Sequence, residues 1–537
     1  MPVKRTVADA ILDQLASWGV KRIYGYAGDA ILTFLDAINR HPQIEYVQAR
    51  HESAAAFMAS AEAKLTGRVA VCTATSGPGT ANLINGLGDA YSDKVPVIAI
   101  TGQVPTKYIG TGYKQYIDEK ILIQPLAKYS ALLTDPQPTV ELIYRALQTS
   151  MVQGTVSHIA VPKDIFTKPC TQEPRPQDSI FAAHKMPDEQ GLQRAVQLLR
   201  QAKKPMFLIG RGARGKGQMI EKWSEQLGAA ITYSLPAKGI ISRDFNYLVG
   251  GLGLAGSNGA SMLLEEADCL LTIGSTWWPE RFVPKKISII QLDGILENLG
   301  LQDKISVGIE GCIEKSLSIL RDMFEGKPNR RWVEKVKTVR EKWINDLEQE
   351  VNSDVNPILP QRLVSSVEGN AAADAVIALD VGEHVLWFDK VFQGQQQIPL
   401  ISGSWRSMGF GLPAALAAKL EFPERQVIAL VGDGGLTMSM GEMVTAVERG
   451  INVKTVVFNN SSLSMERNRM IVAGISQTGT NLYNPDFKLV AQGCGWEGYQ
   501  VTEAVQLDNV LKEAFASNKP SLIDVKVSAP IPPHTTL

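Results

Sequence analysis

The chain has 537 residues, 45% apolar and 20% charged, with a formal net charge of −1. That length holds about three domains of ordinary size, the composition is that of a globular protein, and near-neutrality removes any electrostatic case for nucleic acid or an anionic membrane as partner. Five cysteines, Cys72, Cys170, Cys269, Cys312 and Cys494, show no CxxC spacing, which argues against a zinc site and for a reducing compartment.

The N-terminal segment MPVKRTVADAILDQLASWGVKR is an amphipathic helix pattern with charges throughout, unlike an export signal. No uninterrupted apolar stretch reaches the roughly 18 residues of a transmembrane span, so the expected location is cytoplasmic. In the first region, residues 1–165, strands are predicted at Arg22–Tyr26, Val69–Ala74, Val95–Thr101 and His158–Val161 with helices between them, the alternation of a parallel α/β sheet. Ala49-Arg50-His51-Glu52 leads into an alanine-rich helix that starts at or near Glu52. A lone glutamate there would simply complement the helix dipole. Its surroundings suggest more. The strand at Val69–Ala74 runs into Thr75-Ser76-Gly77-Pro78-Gly79-Thr80, and the strand at Val95–Thr101 into Gly102-Gln103-Val104-Pro105. Such turns at the carboxyl ends of parallel strands are where α/β sheets bind ligands.

Residues 166–190 hold Pro169, Pro174, Pro176 and Pro187 among polar residues and read as a linker. The second region, 190–325, has strands at Pro205–Ile209, Ala230–Tyr233, Cys269–Ile273 and Ile287–Leu292. After the first of these, Gly210 and Gly212 stand where a dinucleotide phosphate could approach, a weak signal by itself. Gly326–Asn352 is a charged helical connector.

The third region, 355–530, has strands at Val376–Leu379, Val427–Val431, Lys454–Phe458 and Leu522–Val527. Gly432, Gly434 and Gly435 are read as a tight turn, followed by a helix over Thr437–Arg449 that ends at Gly450. If the strands before and after that helix are parallel neighbours, the carboxylate of Asp433 and the amide oxygen of Asn460 share one sheet edge. Two oxygen ligands beside a helix start suit Mg²⁺ on a diphosphate, since Mg²⁺ takes about six oxygens, some of them from phosphate.

Gly432-Asp433-Gly434 followed by Asn459-Asn460 resembles the signature of thiamine diphosphate enzymes. Arg50-His51-Glu52, SGPGTANLINGL and TGQVP resemble, more narrowly, the acetolactate synthase and pyruvate oxidase group. The resemblance covers nearly the whole chain in the same domain order. It implies an α/β protein of three doubly wound parallel-sheet domains: pyrimidine-binding, central nucleotide-binding-like and diphosphate-binding. It makes Asp433, Asn460 and the backbone carbonyl of Ser462 the Mg²⁺ ligands, and Glu52 the partner of the aminopyrimidine N1′. Gly382, Glu383 and His384, after the strand ending at Leu379, would grip the diphosphate together with Gly432, Gly434 and Gly435. The backbone around Arg406 and Met408 would bind the pyrimidine, with Met408 wedged between the two rings, although a methionine is often plain core filler.

FAD is a further expectation. Gly210, Gly212, Thr276 in Gly274–Arg281, and Asp293 in Ile290–Asp293 resemble flavin-containing relatives, yet Glu310-Gly311-Cys312 stands where those carry Val-Gly-Asp. Pyruvate is the default donor. Relatives have Phe-Gln-Glu where this chain has Lys114-Gln115-Tyr116; Gln115 is expected to touch the reacting intermediate, and the cation of Lys114 suits a carboxylate or phosphate. Leu463–Arg469 corresponds to the family's mobile loop. The segment Pro532–Leu537 carries no amphipathic tail like that of quinone-reducing oxidases, which argues against electron delivery at a membrane. In the family, one site draws on two subunits, so a homodimer or homotetramer is implied. The expected reaction is acetolactate synthase-like: decarboxylation of a small 2-oxo acid and transfer of the two-carbon unit. The alternatives are an FAD-dependent pyruvate oxidase and a catalytically silent cofactor-binding subunit.

Overall fold

A computed structural model describes residues 5–177, 186–253, 255–276, 282–301, 304–532 and 535. Parts of four expectations therefore lie outside the described residues: 1–4 of the N-terminal helix, 178–185 of the linker, 277–281 of the flavin-like stretch, and 533–534 and 536–537 of the tail.

The strands form three six-stranded parallel sheets. The first contains β1 (Arg22–Gly25), β2 (Glu45–Gln48), β3 (Ala70–Ala74), β4 (Val97–Gln103), β5 (Ala127–Leu132) and β6 (Val156–Pro162), in the order β2-β1-β3-β4-β6-β5. The second contains β7 (Pro205–Ile209), β8 (Ala230–Tyr233), β9 (Leu248–Gly251), β10 (Cys269–Ile273), β11 (Ser288–Asp293) and β12 (Val307–Glu310), in the order β12-β11-β10-β7-β8-β9. The third contains β13 (Val376–Leu379), β14 (Ile398–Ile401), β15 (Val427–Gly432), β16 (Lys454–Asn459), β17 (Glu497–Val501) and β18 (Ser521–Lys526), in the order β14-β13-β15-β16-β18-β17. The first and third sheets share one topology, and the middle sheet has the doubly wound dinucleotide-fold order.

Helices cover both faces of each sheet, so central strands such as β3, β7 and β10 are buried along their whole length and consist of nearly continuous apolar runs. The first and third domains share one core. The alanine-rich helix Glu52–Thr66 packs on Pro78–Ser92 and on Gly411–Glu421, and Phe57 meets Phe410 edge to face at 5.7 Å. The small side chains let the helices approach closely: a Cβ on Gly86 would lie 2.4 Å from Ala56 Cβ.

The helix expected over Thr437–Arg449 is in fact two, Asp433–Ser439 and Glu442–Glu448, parted at Met440-Gly441. Gly434 and Gly435 lie in the first of these helices and do not form a turn. Glycine is required there by lack of space, since a Cβ on Gly435 would lie 2.7 Å from Asp380 Oδ2. Among the described residues no helix is long and apolar enough to cross a membrane.

Candidate active site

In the third sheet β13 pairs with β15, and β15 with β16. The chain leaves β13 and β15 toward opposite sides, and a crevice opens at their carboxyl ends, the usual ligand position in an open α/β sheet. A cavity of about 190 Å³ lies there, lined by Gly382, Glu383 and His384 after β13, Gly432 to Gly435 after β15, Asn460 and Ser462 after β16, and Arg406 and Met408 from a fourth segment. These residues come from positions 382 to 462, and the tertiary fold brings them to one space.

The Asp433 carboxylate is buried. Its Oδ2 accepts from Asn484 Nδ2 at 2.8 Å and its Oδ1 from its neighbour's amide, Gly434 N–H, at 2.9 Å. Burial pushes this carboxyl above its ordinary range, against the pull of those bonds. Asn460 Nδ2 donates to Ser464 Oγ at 3.2 Å, while Asn460 Oδ1 and Ser462 Oγ are buried with no partner among the described residues. An unsatisfied buried acceptor is costly unless a ligand meets it. One carboxylate plus a partnerless amide oxygen is a donor set that fits Mg²⁺ shared with phosphate oxygens. Asn459 faces elsewhere: its Nδ2 donates to Asp524 Oδ1 at 2.7 Å. Asn484, which sequence reasoning passed over, bridges Asp433 and Asn459 Oδ1.

Asp380 was also missed as a functional residue. It is fully buried and accepts N–H bonds from Val381 at 2.6 Å and Gly409 at 2.9 Å, so it anchors the turn that presents Met408. Burial pushes its carboxyl up to about 6. Arg406 has a left-handed backbone, φ 55°, and Met408 Cε lies 3.2 Å from where a Cβ on Gly434 would be. His384 Nε2–H donates to the Asp380 carbonyl at 3.0 Å, and the ring stacks on Phe458 at 5.4 Å. Burial lowers its pKa to about 4, so the imidazole is neutral at pH 7 and wedges the Gly382 turn. Glu383 Oε1 accepts from Asn468 Nδ2 at 2.6 Å. Asn468 belongs to the helix Ser464–Val472, which occupies the segment where a mobile loop was expected.

Glu52 begins its helix as anticipated. It is 8% exposed and its Oε2 accepts from Asn82 Nδ2 at 3.0 Å. Gly79 leaves room beside it: a Cβ there would lie 2.9 Å from Thr75 Cγ2 and 3.2 Å from Glu52 Oε1. Glu52 is not among the residues lining the Asp433 cavity of its own chain. Lys114 and Gln115 are exposed. The left-handed turn at Gln115, φ 62°, sets its carbonyl against the Gly77 turn. Beneath that contact lies Glu119, which accepts from Thr101 Oγ at 2.6 Å and Gly77 N–H at 3.2 Å.

The central domain departs from expectation. The amides of Gly210 and Gly212 donate to the carbonyls of Ile273 and Gly274 at 2.9 and 3.0 Å, so neither is free to hold a phosphate. These glycines allow two strand-end turns to pack, a Cβ on Gly210 falling 2.1 Å from Gly274 O. Asp293 Oδ1 accepts from Ile295 N–H at 3.0 Å and Asn298 Nδ2 at 2.8 Å, closing its own turn. Thr276 is half-buried three residues past β10.

Three family models match the chain: the thiamine pyrophosphate enzyme N-terminal TPP binding domain over residues 5–122, the central domain over 192–320, and the C-terminal TPP binding domain over 380–525. Among relatives, the chain is 32% identical to the putative thiamine pyrophosphate-containing protein YdaP of Bacillus subtilis, covering 99% of this chain and 94% of that one. It is 30% identical to the acetolactate synthase isozyme 1 large subunit of Escherichia coli, covering 98% and 94%. It is 29% identical to the pyruvate oxidase of Lactiplantibacillus plantarum, covering 97% and 89%.

Proposed function

The chain belongs to the thiamine pyrophosphate enzyme family, and from that premise we propose that it decarboxylates a 2-oxo acid, pyruvate by default, and transfers the two-carbon unit to a second 2-oxo acid. The observation that carries this reading is the convergence of the Asp433 carboxylate and the partnerless Asn460 oxygen on one cavity. When bound there, thiamine diphosphate supplies an electron sink for the carbanion left as CO₂ departs.

The chain's own residues would do the rest. Asp433, Asn460 and the Ser462 carbonyl would hold Mg²⁺. Gly382, Glu383 and His384, with the Gly432–Gly435 segment, would cradle the diphosphate. Arg406 and Met408 would seat the rings on a turn fixed by Asp380. Glu52 would present its carboxyl to a ring nitrogen as hydrogen-bond partner. Lys114 is a charge-assisted donor suited to a substrate carboxylate, with Gln115 beside it. Because Glu52 stands apart from the Asp433 cavity within one chain, a site completed by a second copy fits the arrangement, as a homodimer or a pair of them.

Flavin-dependent pyruvate oxidation is the second reading, favoured by the match to a pyruvate oxidase over nearly the full length. The amides of Gly210 and Gly212 and the Oδ1 of Asp293 are all engaged within the protein, which speaks against that cofactor. Purified protein supplied with thiamine diphosphate, Mg²⁺ and pyruvate should form acetolactate, read as acetoin colour after acid, and Glu52→Gln should lose the activity. Pyruvate-dependent dye reduction without that colour would favour the second reading, and turnover of neither kind with any 2-oxo acid would refute both.

A further inference from the structure

Glu442 is a buried carboxyl with no part in the chemistry above. It opens the helix Glu442–Glu448 in the third domain and is 1% exposed. Its Oε1 accepts the backbone N–H of Arg50, in the first domain, at 2.7 Å, and its Oε2 accepts from Thr445 Oγ at 2.7 Å. The His51 amide also bonds to it. Arg50 and His51 are the two residues before Glu52, and His51 is the N-cap of the helix that Glu52 begins. The same short helix grips this segment a second time, through the ion pair of Glu448 with the Arg50 guanidinium. The two segments are in van der Waals contact range: a Cβ on Gly441 would lie 3.6 Å from Arg50 Cβ.

A carboxylate this deeply buried is tolerated only when its oxygens are bonded, and here the bonds run to main-chain amides of another domain. Main-chain bonds fix where the backbone enters a helix, whatever the side chains nearby. On its other side, Glu52 is held by Asn82. A cavity of about 280 Å³ adjoins the contact, lined by Arg50, His51 and Glu442 together with Met408, Gly409 and Met438. The segment that roots Glu52 and the turn that presents Met408 thus face one space.

We propose that Glu442 is a positioning residue for Glu52, holding the root of its helix and tying it to the stretch of chain that begins at Asp433. Asp433 and Glu442 lie on consecutive helices separated only by Met440 and Gly441. This inference rests on the proposed function, in which Glu52 of one copy serves the site that contains Asp433 of the other. In that assembly, Glu442 links the metal-binding edge of one site to the acid of the next.

The test is hydrogen–deuterium exchange at C2 of thiamine diphosphate, measured on the full-length protein at saturating cofactor and Mg²⁺, with cofactor affinity measured separately by intrinsic fluorescence. Wild type should accelerate the exchange and Glu52→Gln should abolish the acceleration; if wild type does not accelerate it, the proposed function fails and this inference with it. Glu442→Ala should slow the saturated exchange by about 10- to 100-fold, the scale of a displaced catalytic group, while affinity changes less than about threefold. Glu442→Gln, whose amide oxygen still accepts from Arg50, should recover to within about threefold of wild type. Should Glu442→Ala not fold, Thr445→Val, which frees one oxygen of the carboxylate, should slow the saturated exchange with affinity unchanged. Saturated exchange at the wild-type rate in these variants, or affinity falling in step with exchange, would overturn the proposal.

Discussion

Glu119 is 1% exposed, and among the described residues no cation contributes to its charge balance. Its contacts are Thr101, Thr80 and the Gly77 amide, its charged neighbour is Asp118, and burial pushes its carboxyl up to about 7. Thr101 also bonds His158 Nε2 at 2.8 Å, and burial holds that imidazole down to about 3, hence neutral. The folded protein therefore binds the Glu119 proton more tightly than the unfolded chain, where the ordinary value is 4.5. The stability this gives is fully present below pH 4.5 and is lost as pH rises to about 7. At 1.36 kcal/mol per pH unit the difference is about 3 kcal/mol. Glu119→Gln keeps the neutral shape without the titration: its oxygen accepts from Gly77, and its amide donates to Thr101. The variant should match wild type near pH 4 and exceed it by ~3 kcal/mol at pH 8, roughly 6–12 °C in the melting of a domain this size. Differential scanning calorimetry at the two pH values measures this. The opposing titration of His158 is common to both proteins and cancels. Equal destabilisation of the variant at both pH values would refute the reasoning, because it would mean that an ionised Glu119 is what the fold requires.

Asn484→Ala removes the donor that orients Asp433 and should weaken Mg²⁺-dependent cofactor binding by about 10- to 100-fold, read by titration calorimetry. Gly86→Ala drives a Cβ into the Ala56 backbone and should destabilise the shared core of the first and third domains by about 1–3 kcal/mol; an unchanged melting temperature would contradict the close helix contact. Lys64 lies 2.6 Å from Asp89 and 2.7 Å from Asp93 in the same core. Burial raises Asp93, but Lys64 and Arg211 bring it down to about 2. Lys64→Met strands both carboxylates and should cost about 3–5 kcal/mol, with a deficit in melting temperature that widens from pH 5 to pH 8 as they ionise.

The sequence by itself determined the four inner strands of each sheet, the starts of the site loops, and the residue types at Glu52, Asp433 and Asn460. Inner strands are covered on both faces, so burial writes them as unbroken apolar runs such as Val427–Val431. The six strands missed, β2, β5, β9, β12, β14 and β17, are the edges of the three sheets. Several of them are half-exposed and mix polar with apolar residues, leaving no local pattern to read. Only the tertiary structure decided what the glycines and buried acids do. Gly434 and Gly435 are fixed by Leu463 and Asp380, and Gly210 and Gly212 by Gly274. Asn484, Asp380, Glu119 and Glu442 bond partners brought close by folding, 392 positions away in the case of Glu442 and Arg50. A hydrogen bond at that separation has no period and no spacing along the chain, and it exists only once the domains have packed.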